Sequence, residues 1–324
     1  MNNRAFLKSF FTEHWKYMAV NAACKLNLFD VLEETGKTKN QISKLLAVPE
    51  ENMELLLKGL VSIDFLDRIE DKYVLNSLSI LLTDKHSESL KYACLNWSGD
   101  HLEAWSDLDI SLKSGNSFFE NKYEMNYFDF LNNDEEKLDN YHKAMFAYAK
   151  DDYKNIADVF DFSRHDSLMD VGGGYGAAIS IIKKENPELN CYLFDLELVL
   201  EKCKTSEDVN LVSGDFFATI PNLCESILLS RVLHDWDDEK ALLILENAYN
   251  ALPHNGTLYV IENLTDKIKD EAALLSLNMH VITKSFERNL AEYKTLLSNA
   301  DFSILETKKI NDFQHLIVAV KNEK

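Results

Sequence analysis

Apolar residues in the first part of the chain recur at three- and four-residue steps, the spacing of an amphipathic helix. This pattern predicts one helix over residues 3–34. The next segment predicts two more helices and a short hairpin, at 38–46, 50–62, Leu66–Ile69 and Tyr73–Leu75. Helix, helix and hairpin in this order is a winged-helix pattern. Residues 87–150 are again predicted to be helical.

The pattern changes near residue 151, where short apolar runs alternate with helical periodicity. The runs predict strands at Ser167–Val171, Asn190–Phe194, Val209–Val212, Ser226–Ser230, Thr257–Ile261, Phe302–Lys308 and Gln314–Val320. Helices are predicted at 176–186, 197–203, 237–251, 271–283 and 289–300. Such alternation indicates βαβ units and a mostly parallel, doubly wound α/β sheet. A short polar turn joins the last two strands, which predicts an antiparallel end to the sheet.

These patterns divide the 324 residues into three predicted parts. A mostly helical, winged-helix-like domain occupies 1–95, a helical segment follows over 96–150, and an α/β domain occupies 151–324. A length of this size favours two domains over one.

Composition narrows the class further. The net charge of −20 disfavours nucleic acid and anionic membranes as partners. No run approaches 18 apolar residues, so we expect no transmembrane helix. The five cysteines show no CxxC spacing, which favours a cytoplasmic location. The histidines show no metal-ligand spacing, so we expect no metal site.

Glycines cluster where the first predicted strand of the α/β domain ends. Four of the ten glycines lie in the segment DVGGGYG, between Gly172 and Gly176. Strand, glycine turn and helix allow a ligand to approach the backbone at a helix N-terminus. The spacing fits the loop of S-adenosylmethionine enzymes, and it also satisfies the dinucleotide fingerprint. The loop therefore predicts an adenine cofactor without choosing between the two classes.

Polar residues of suitable chemistry also follow the later strands. Ligands of open α/β sheets bind outside the carboxyl ends of the strands. We therefore expect one rim to collect Asp170, Gly172, Asp195, Asp215, His234 and Glu262. An acid at Asp195 is placed to accept ribose hydroxyls in either cofactor class, and Asp215 with Phe216 is placed to hold an adenine.

The chain resembles the plant-type family of S-adenosylmethionine-dependent small-molecule O-methyltransferases. The resemblance covers nearly the whole chain and rests on DVGGGYG, FDL, GDFF, LHDWDDE, ALPHNG and ERNLAEY, in the order of the family. It implies a class I methyltransferase fold with a Rossmann-like sheet and an N-terminal dimerisation domain. It also implies methyl transfer from S-adenosyl-L-methionine, without a metal, to a small aromatic or polyketide-like hydroxyl acceptor in secondary metabolism.

The same resemblance implies roles for individual residues. His234 matches the catalytic base, and Glu262 and Glu287 match the two acids that flank and orient it. Residues that match or complete the cofactor site are Asp170, Gly172, Gly174, Asp195, Leu196, Asp215, Phe216, Ser230, Arg231 and Trp236. Met145 and Asp235 are expected near the acceptor.

The chain departs from the family pattern at several positions. Ser230 stands where some members have a lysine that contacts the cofactor, and Arg231 is a candidate replacement. Lys284, Ser285 and Phe286 replace a glycine-rich approach to Glu287. This stretch leaves carbon or nitrogen methylation, or other chemistry with the same cofactor, as an alternative.

Two alternatives from other classes have less support. A nicotinamide-dependent oxidoreductase would share the glycine loop but not LHDW followed by ALPHNG. A winged-helix transcription regulator needs a basic recognition helix. The helix over 50–62 instead carries Glu50, Glu51 and Glu54 against the single Lys58. This helix is therefore expected to pack against protein rather than to bind DNA, and the resemblance implies that the region forms a homodimer.

Overall fold

A computed structural model describes residues 2–32, 35–205, 208–265 and 271–322. The chain divides into two compact units, Met1–Asp100 and His101–Lys324. The finer division at residues 95 and 150 stays a prediction. No helix within the described ranges is both long enough and apolar enough to span a membrane.

The first unit is mostly helical. Its helices are α1 (Asn3–Phe10), α2 (His14–Lys25), α3 (Leu28–Leu32), α4 (Lys39–Leu46), α5 (Glu50–Ser62) and α6 (Lys91–Asn96), with a 3-10 turn at Ser79–Leu82. Its strands are β1 (Lys37–Thr38), β2 (Asp67–Ile69) and β3 (Lys72–Val74), which form an antiparallel sheet in the order β1–β3–β2. The two helices and hairpin expected after residue 38 are present, and the short strand β1 was not predicted.

The single helix predicted over 3–34 is wrong. The chain forms α1, α2 and α3 there, with a turn over 11–13 and another at Asn27. Asn27 has φ 55°, in the left-handed region, which ends a right-handed helix. The apolar spacing continues through both turns, so periodicity alone does not reveal them. Residues 33 and 34 of the predicted helix lie outside the described part.

The second unit begins with helices. They are α7 (Asp100–Ser106), α8 (Leu108–Ser114), α9 (Phe118–Tyr123), α10 (Tyr127–Asn132), α11 (Glu135–Asp152) and α12 (Ile156–Val159). Local capping sets several of these boundaries. The Ser117 hydroxyl accepts the N–H of Glu120, and the Glu120 carboxylate accepts the N–H of Ser117. This reciprocal pair satisfies two N–H groups that the first turn of α9 leaves free.

Seven strands and five helices follow in the described residues. The strands are β4 (Ser167–Val171), β5 (Asn190–Asp195), β6 (Val209–Ser213), β7 (Ser226–Ser230), β8 (Thr257–Asn263), β9 (Phe302–Lys309) and β10 (Gln314–Lys321). The helices are α13 (Ala177–Glu185), α14 (Glu197–Leu200), α15 (Asp238–Ala251), α16 (Glu271–Thr283) and α17 (Leu290–Asn299). Short 3-10 turns lie at Phe162–Arg164 and Leu233–Asp235.

The seven strands form one mixed sheet in the order β6–β5–β4–β7–β8–β10–β9. The pairs from β6 to β8 are parallel, and β10 runs antiparallel to both β8 and β9. This confirms the predicted fold class, including the antiparallel last strands. The chain reverses its direction across the sheet between β4 and β7, which is where open α/β folds bind ligands.

Both faces of the central strands are buried, which explains their continuous apolar runs. On one face, Met169 and Leu229 pack with Ile244 of α15. On the other, Leu168 and Leu228 pack with Ile179 of α13 and its neighbours. Because both faces of the strands are covered, their carboxyl ends form one rim. The polar residues described next lie along this rim.

Candidate active site

A glycine turn leads from β4 into α13. Gly172 and Gly174 have φ 70° and 57°, a region that glycine adopts without strain. A Cβ at Gly172 would lie 3.1 Å from Val232 and 3.2 Å from Phe216, and one at Gly174 would lie 3.0 Å from Nδ1 of His142. A side chain at either of these two positions would crowd its neighbours, so glycine leaves the backbone uncovered there.

Asp195 ends the neighbouring strand β5 and reaches back to the same turn. Its Oδ2 accepts the N–H of Gly174 at 2.8 Å, and its Oδ1 accepts the N–H of Leu196 at 2.7 Å. Burial nevertheless raises the pKa of Asp195 to about 6, because these two amides only partly replace water. A ligand hydroxyl that donates to Asp195 would stabilise its charged form.

Asp170 is a second acid below the turn. It is 1% exposed, and neither of its oxygens accepts a hydrogen bond of ordinary geometry. Burial, together with the nearby charge of Asp195, raises the pKa of Asp170 to about 7. One carboxyl group without hydrogen bonds and one that accepts two backbone amides lie beside the glycine turn, and together they fit a ligand rich in hydroxyl or amino donors.

Phe216 and Phe217, which follow β6, pack with Trp236 and Phe128 to form what we call the aromatic wall. The Trp236 ring lies 4.7 Å from that of Phe217, 6.2 Å from Phe216 and 5.3 Å from Phe128. Asp215 directly precedes Phe216, and its Oδ1 accepts the N–H of Phe217 at 2.8 Å. The wall is a surface on which a flat ring could pack.

His234 lies in the 3-10 turn Leu233–Asp235, directly after β7. Its Nδ1 is 2.9 Å from Oε1 of Glu287, and both side chains are buried. Its Nε2 is 3.7 Å from Oδ1 of Asp235. One ring nitrogen is therefore held by a carboxylate, while the other lies beside a second acid.

Glu262, at the end of β8, contacts the backbone of the turn rather than the imidazole. Its Oε1 accepts the N–H of Leu233 at 2.9 Å and that of His234 at 3.3 Å. The register explains the proximity, since Ser230 of β7 pairs with Ile261 of β8. Glu262 thus fixes the main chain that carries the imidazole.

Arg231 brings a positive charge to the two acids. Its Nη2 is 3.3 Å from Oε1 of Glu287, and its Nη1 is 3.9 Å from Oε2 of Glu262. Burial lowers the pKa of Arg231, but the charges of Glu287 and Glu262 outweigh burial and raise it. The backbone of Arg231 has φ 58°, and the preceding Ser230 donates its hydroxyl to that of Tyr153 at 2.7 Å.

These charges set the protonation of the cluster. Burial lowers the pKa of His234 and Arg231 lowers it further, but Asp235, Glu287 and Glu262 together raise it above the usual 6.5. Burial raises the pKa of Glu287, but Arg231 and His234 outweigh burial and lower it to about 2. Burial raises the pKa of Glu262 to about 7. Glu287 is therefore the ionised partner of the imidazole.

The same cluster has the composition of a metal site. Among the described residues, His234, Glu262 and Glu287 each offer one donor atom, and these atoms lie within 4.8 Å of one another. Histidine spacing along the chain does not reveal this grouping, because the three residues come from three separate segments. The guanidinium of Arg231 already supplies positive charge to both acids.

Helices α10 and α11 add aromatic residues near the rim. Tyr141 of α11 lies 5.8 Å from Tyr127 and 5.9 Å from Phe128, measured between ring centroids. Met145 lies one helical turn after Tyr141 on α11 and is partly buried. A small cleft is lined by Tyr127, Phe128, Asp235, Trp236 and Lys284, among others.

Most of the predicted site residues thus lie along the carboxyl ends of β4, β5, β6, β7 and β8. Leu196 directly follows β5, and its side chain packs against the mostly aromatic cluster that includes residues of α9, α10 and α11. His142, which stacks on Tyr175 with ring centroids 5.1 Å apart, had no predicted role. Arg288 had none either, although it belongs to the ERNLAEY motif and directly follows Glu287.

Fold and site together define a methyltransferase of the class with a Rossmann-like sheet. The sequence matches the O-methyltransferase domain over residues 105–303 and the O-methyltransferase dimerisation domain over residues 9–85. The chain belongs to the O-methyltransferase family.

Known proteins resemble the chain over almost its full length. It is 26% identical to the phenazine O-methyltransferase PhzM of Lysobacter antibioticus over 320 residues, 94% of each chain. It is 29% identical to 3-amino-4-hydroxybenzoate 4-O-methyltransferase of Streptomyces cremeus, covering 94% of this chain and 87% of that one. Human N-acetylserotonin methyltransferase, solved in complex with S-adenosylmethionine, superposes with a TM-score of 0.91 at 25% identity, over 100% of this chain and 99% of that chain.

The methyl donor is therefore S-adenosyl-L-methionine, and the site residues fit it. The glycine turn, the unpartnered carboxyl oxygens of Asp170 and the carboxylate of Asp195 suit its hydroxyl and amino donors. The aromatic wall of Phe216 and Trp236 suits its adenine. The match to the O-methyltransferase family separates the chain from the nicotinamide-dependent oxidoreductases that the glycine loop alone left open.

Proposed function

We propose that the enzyme transfers a methyl group to the hydroxyl oxygen of a small aromatic or polyketide-like acceptor, with His234 as general base. The observation that carries the proposal is the 2.9 Å contact between Nδ1 of His234 and Glu287. A histidine whose Nδ1 proton is held by a carboxylate presents its other nitrogen as a proton acceptor.

When bound, the cofactor supplies an activated methyl group, so the protein has to orient the acceptor oxygen and accept its proton. Full ionisation of a phenol of pKa ~10 by a histidine of pKa ~6.5 is uphill by roughly 5 kcal/mol. Proton transfer to Nε2 of His234 during methylation avoids most of this cost. The charge that forms on the imidazole is stabilised by Glu287, which Arg231 keeps ionised.

Asp235 and Met145 are proposed to contact the acceptor. Oδ1 of Asp235 is 3.7 Å from Nε2 of His234, so a group beside the reacting hydroxyl would meet this carboxyl. The aromatic residues Tyr127, Phe128 and Tyr141 favour a flat acceptor. Relatives that methylate a phenazine and an aminohydroxybenzoate support an acceptor of this kind.

The dimerisation domain supports a homodimer, which we also propose. Aromatic side chains on α1, in the following turn and at the start of α2 are exposed in the single chain, including Phe10, Phe11 and Trp15 at 61%, 66% and 66%. Such a patch is typical of an interface. Sedimentation velocity is expected to give twice the 37.2 kDa chain mass, and a monomer at micromolar concentration would contradict the proposal.

Labelled S-adenosylmethionine and a panel of phenols, enols and aromatic amines test the function. We expect methyl uptake with hydroxylated aromatics, a methoxy signal in the NMR spectrum of the product, and a loss of about a hundredfold or more in His234→Gln. The matched control is His254→Gln, in the loop before β8, at the opposite end of that strand from Glu262. Methylation only at nitrogen or carbon, or a wild-type rate in His234→Gln, would overturn the proposal.

A further inference from the structure

The guanidinium of Arg288 is buried beneath the turn that carries His234. Arg288 is 1% exposed. Its Nη1 donates to the carbonyl oxygen of Leu233 and its Nη2 to that of Trp236, both at 2.8 Å. Its Nε donates to Oδ1 of Asp238 at 2.9 Å. The two carbonyls lie on either side of His234 along the chain, so one side chain holds both ends of the turn.

The turn needs such support. It is a 3-10 helix of three residues, and helices of this kind have poor internal hydrogen-bond geometry. Within the turn, the carbonyl oxygen of Leu233 accepts the N–H of Trp236 at 3.3 Å, which is long for such a bond. Arg288 supplies a further donor to Leu233 and one to Trp236, and the hydroxyl of Ser285 adds another to Trp236 at 2.8 Å. Glu262 accepts the N–H groups of Leu233 and His234, so side chains bind both N–H groups and carbonyl groups of this turn.

Arginine suits this position better than other residues. Its planar fork presents several donors in a fixed geometry, whereas a lysine offers a compact point charge. Asp238, its charged partner, is 71% exposed, so much of the cation's stabilisation comes from the two carbonyls. Arg288 also directly follows Glu287. Two consecutive residues therefore supply the carboxylate that contacts the imidazole and the guanidinium that binds the backbone of its turn.

We propose that Arg288 is a positioning residue for methyl transfer: it fixes the His234 turn so that the imidazole stays on Glu287. This inference rests on the proposed role of His234 as general base. Arg288 donates to main-chain carbonyls and does not line the small cleft, so it acts through the main chain. Its loss should therefore affect the chemical step more than the binding of either substrate.

The test is Arg288→Met, which removes the donors and approximately keeps the volume. We expect kcat to fall at least tenfold, while KM for the acceptor and the affinity for S-adenosylhomocysteine change less than threefold. The rising limb of kcat against pH should also shift to lower pH. In the intact site, Glu287, Asp235, Glu262 and Arg231 face His234, and the acids raise its pKa on balance. An imidazole that leaves Glu287 loses part of that effect.

Lys321→Met is the matched control. Its Nζ also donates to two main-chain carbonyls, those of Tyr249 and Leu252, both at 2.7 Å. Lys321 lies beside the first residues of β8, at the opposite end of that strand from Glu262. We expect a lower melting temperature in this variant, with kcat and its pH limb unchanged. If Arg288→Met also lowers only the melting temperature, Arg288 is merely structural and the inference is wrong.

Two further variants keep the result interpretable. If Arg288→Met does not fold, Arg288→Lys keeps the buried charge without the fork, and we expect kcat at least threefold lower with the same pH shift. A wild-type kcat and pH limb in that variant would overturn the inference. His234→Gln separates the two proposals: a wild-type rate there contradicts the general base itself. A slow His234→Gln beside a normal Arg288→Met contradicts only the positioning role.

Discussion

Replacing Glu287 with glutamine tests how the buried charges activate His234. The amide oxygen can still accept the Nδ1 proton over the 2.9 Å contact, so the substitution removes mainly the charge. The charge of Glu287 raises the pKa of His234. Without it, the imidazolium that forms during proton transfer loses its closest counter-charge, and Arg231 loses its partner at 3.3 Å.

The size of the effect follows from the geometry. Two unit charges 2.9 Å apart interact by about 6 kcal/mol at an effective dielectric constant of ~20, which is an upper limit because Arg231 shares the carboxylate. Hydrogen bonds to charged groups contribute about 1.5–3 kcal/mol net. A loss of about 2 kcal/mol corresponds to roughly a 30-fold lower rate, since about 1.4 kcal/mol is a factor of ten.

The assay is kcat/KM as a function of pH with one phenolic acceptor. The rate rises with pH as His234 loses its proton in the free enzyme. We expect Glu287→Gln to lower the plateau about 30-fold and to shift the limb to lower pH. Breaking a buried pair can also destabilise the fold by about 3–5 kcal/mol, so melting temperature and cofactor affinity are measured in parallel.

Glu225→Gln is the control for this experiment. Glu225 forms a histidine–carboxylate pair with His165, 3.6 Å apart, next to the first residue of β7 and at the opposite end of that strand from His234. This variant should keep both the plateau and the limb. A plateau within twofold of wild type and an unmoved limb in Glu287→Gln would refute the assigned role of the carboxylate.

Two further predictions concern the glycine turn and the acid below it. The raised pKa of Asp170 means that the folded state favours its protonated form, so its contribution to stability is lost as pH rises from about 4 to about 7. Asp170→Asn should therefore raise the free energy of unfolding of the ligand-free enzyme at pH 8 by at most roughly 4 kcal/mol, and by much less at pH 4. Equal increases in melting temperature at the two pH values would contradict this. Gly174→Ala places a Cβ 3.0 Å from Nδ1 of His142 at φ 57°, so we expect about 1–2 kcal/mol of strain and at least tenfold weaker cofactor binding by calorimetry. Gly115→Ala, at φ 74° with open space around it, should show the strain without the binding loss, and equal affinities in the two variants would argue against a ligand at the turn.

Much of the α/β domain could be predicted because its signals are local. The buried strands are short apolar runs, and the two predicted as Ser167–Val171 and Ser226–Ser230 end where the structure ends them. The glycine turn could be predicted because its glycines adopt positive φ values, which glycine tolerates without strain. Because β4 to β8 are parallel, the polar residues that follow them come together at one rim of the sheet.

The remaining features depend on tertiary packing, which a periodic pattern does not contain. The turn at Asn27 interrupts an apolar spacing that continues on both sides of it. The contact of Glu262 with the main chain rather than the imidazole depends on the direction of one side chain. The burial of Arg288 depends on two carbonyls more than 50 residues away in sequence, so no local signal could reveal it.

The measurement that tests the central claim most directly compares two acceptors in single-turnover methyl transfer by wild type and His234→Gln. With a phenol of pKa near 10, the variant should be slower by about a hundredfold or more, because the base is missing. With a nitrophenol that is already ionised at the assay pH, the defect should shrink to a few-fold. An equal defect with both acceptors, or none with either, would contradict a general base at His234.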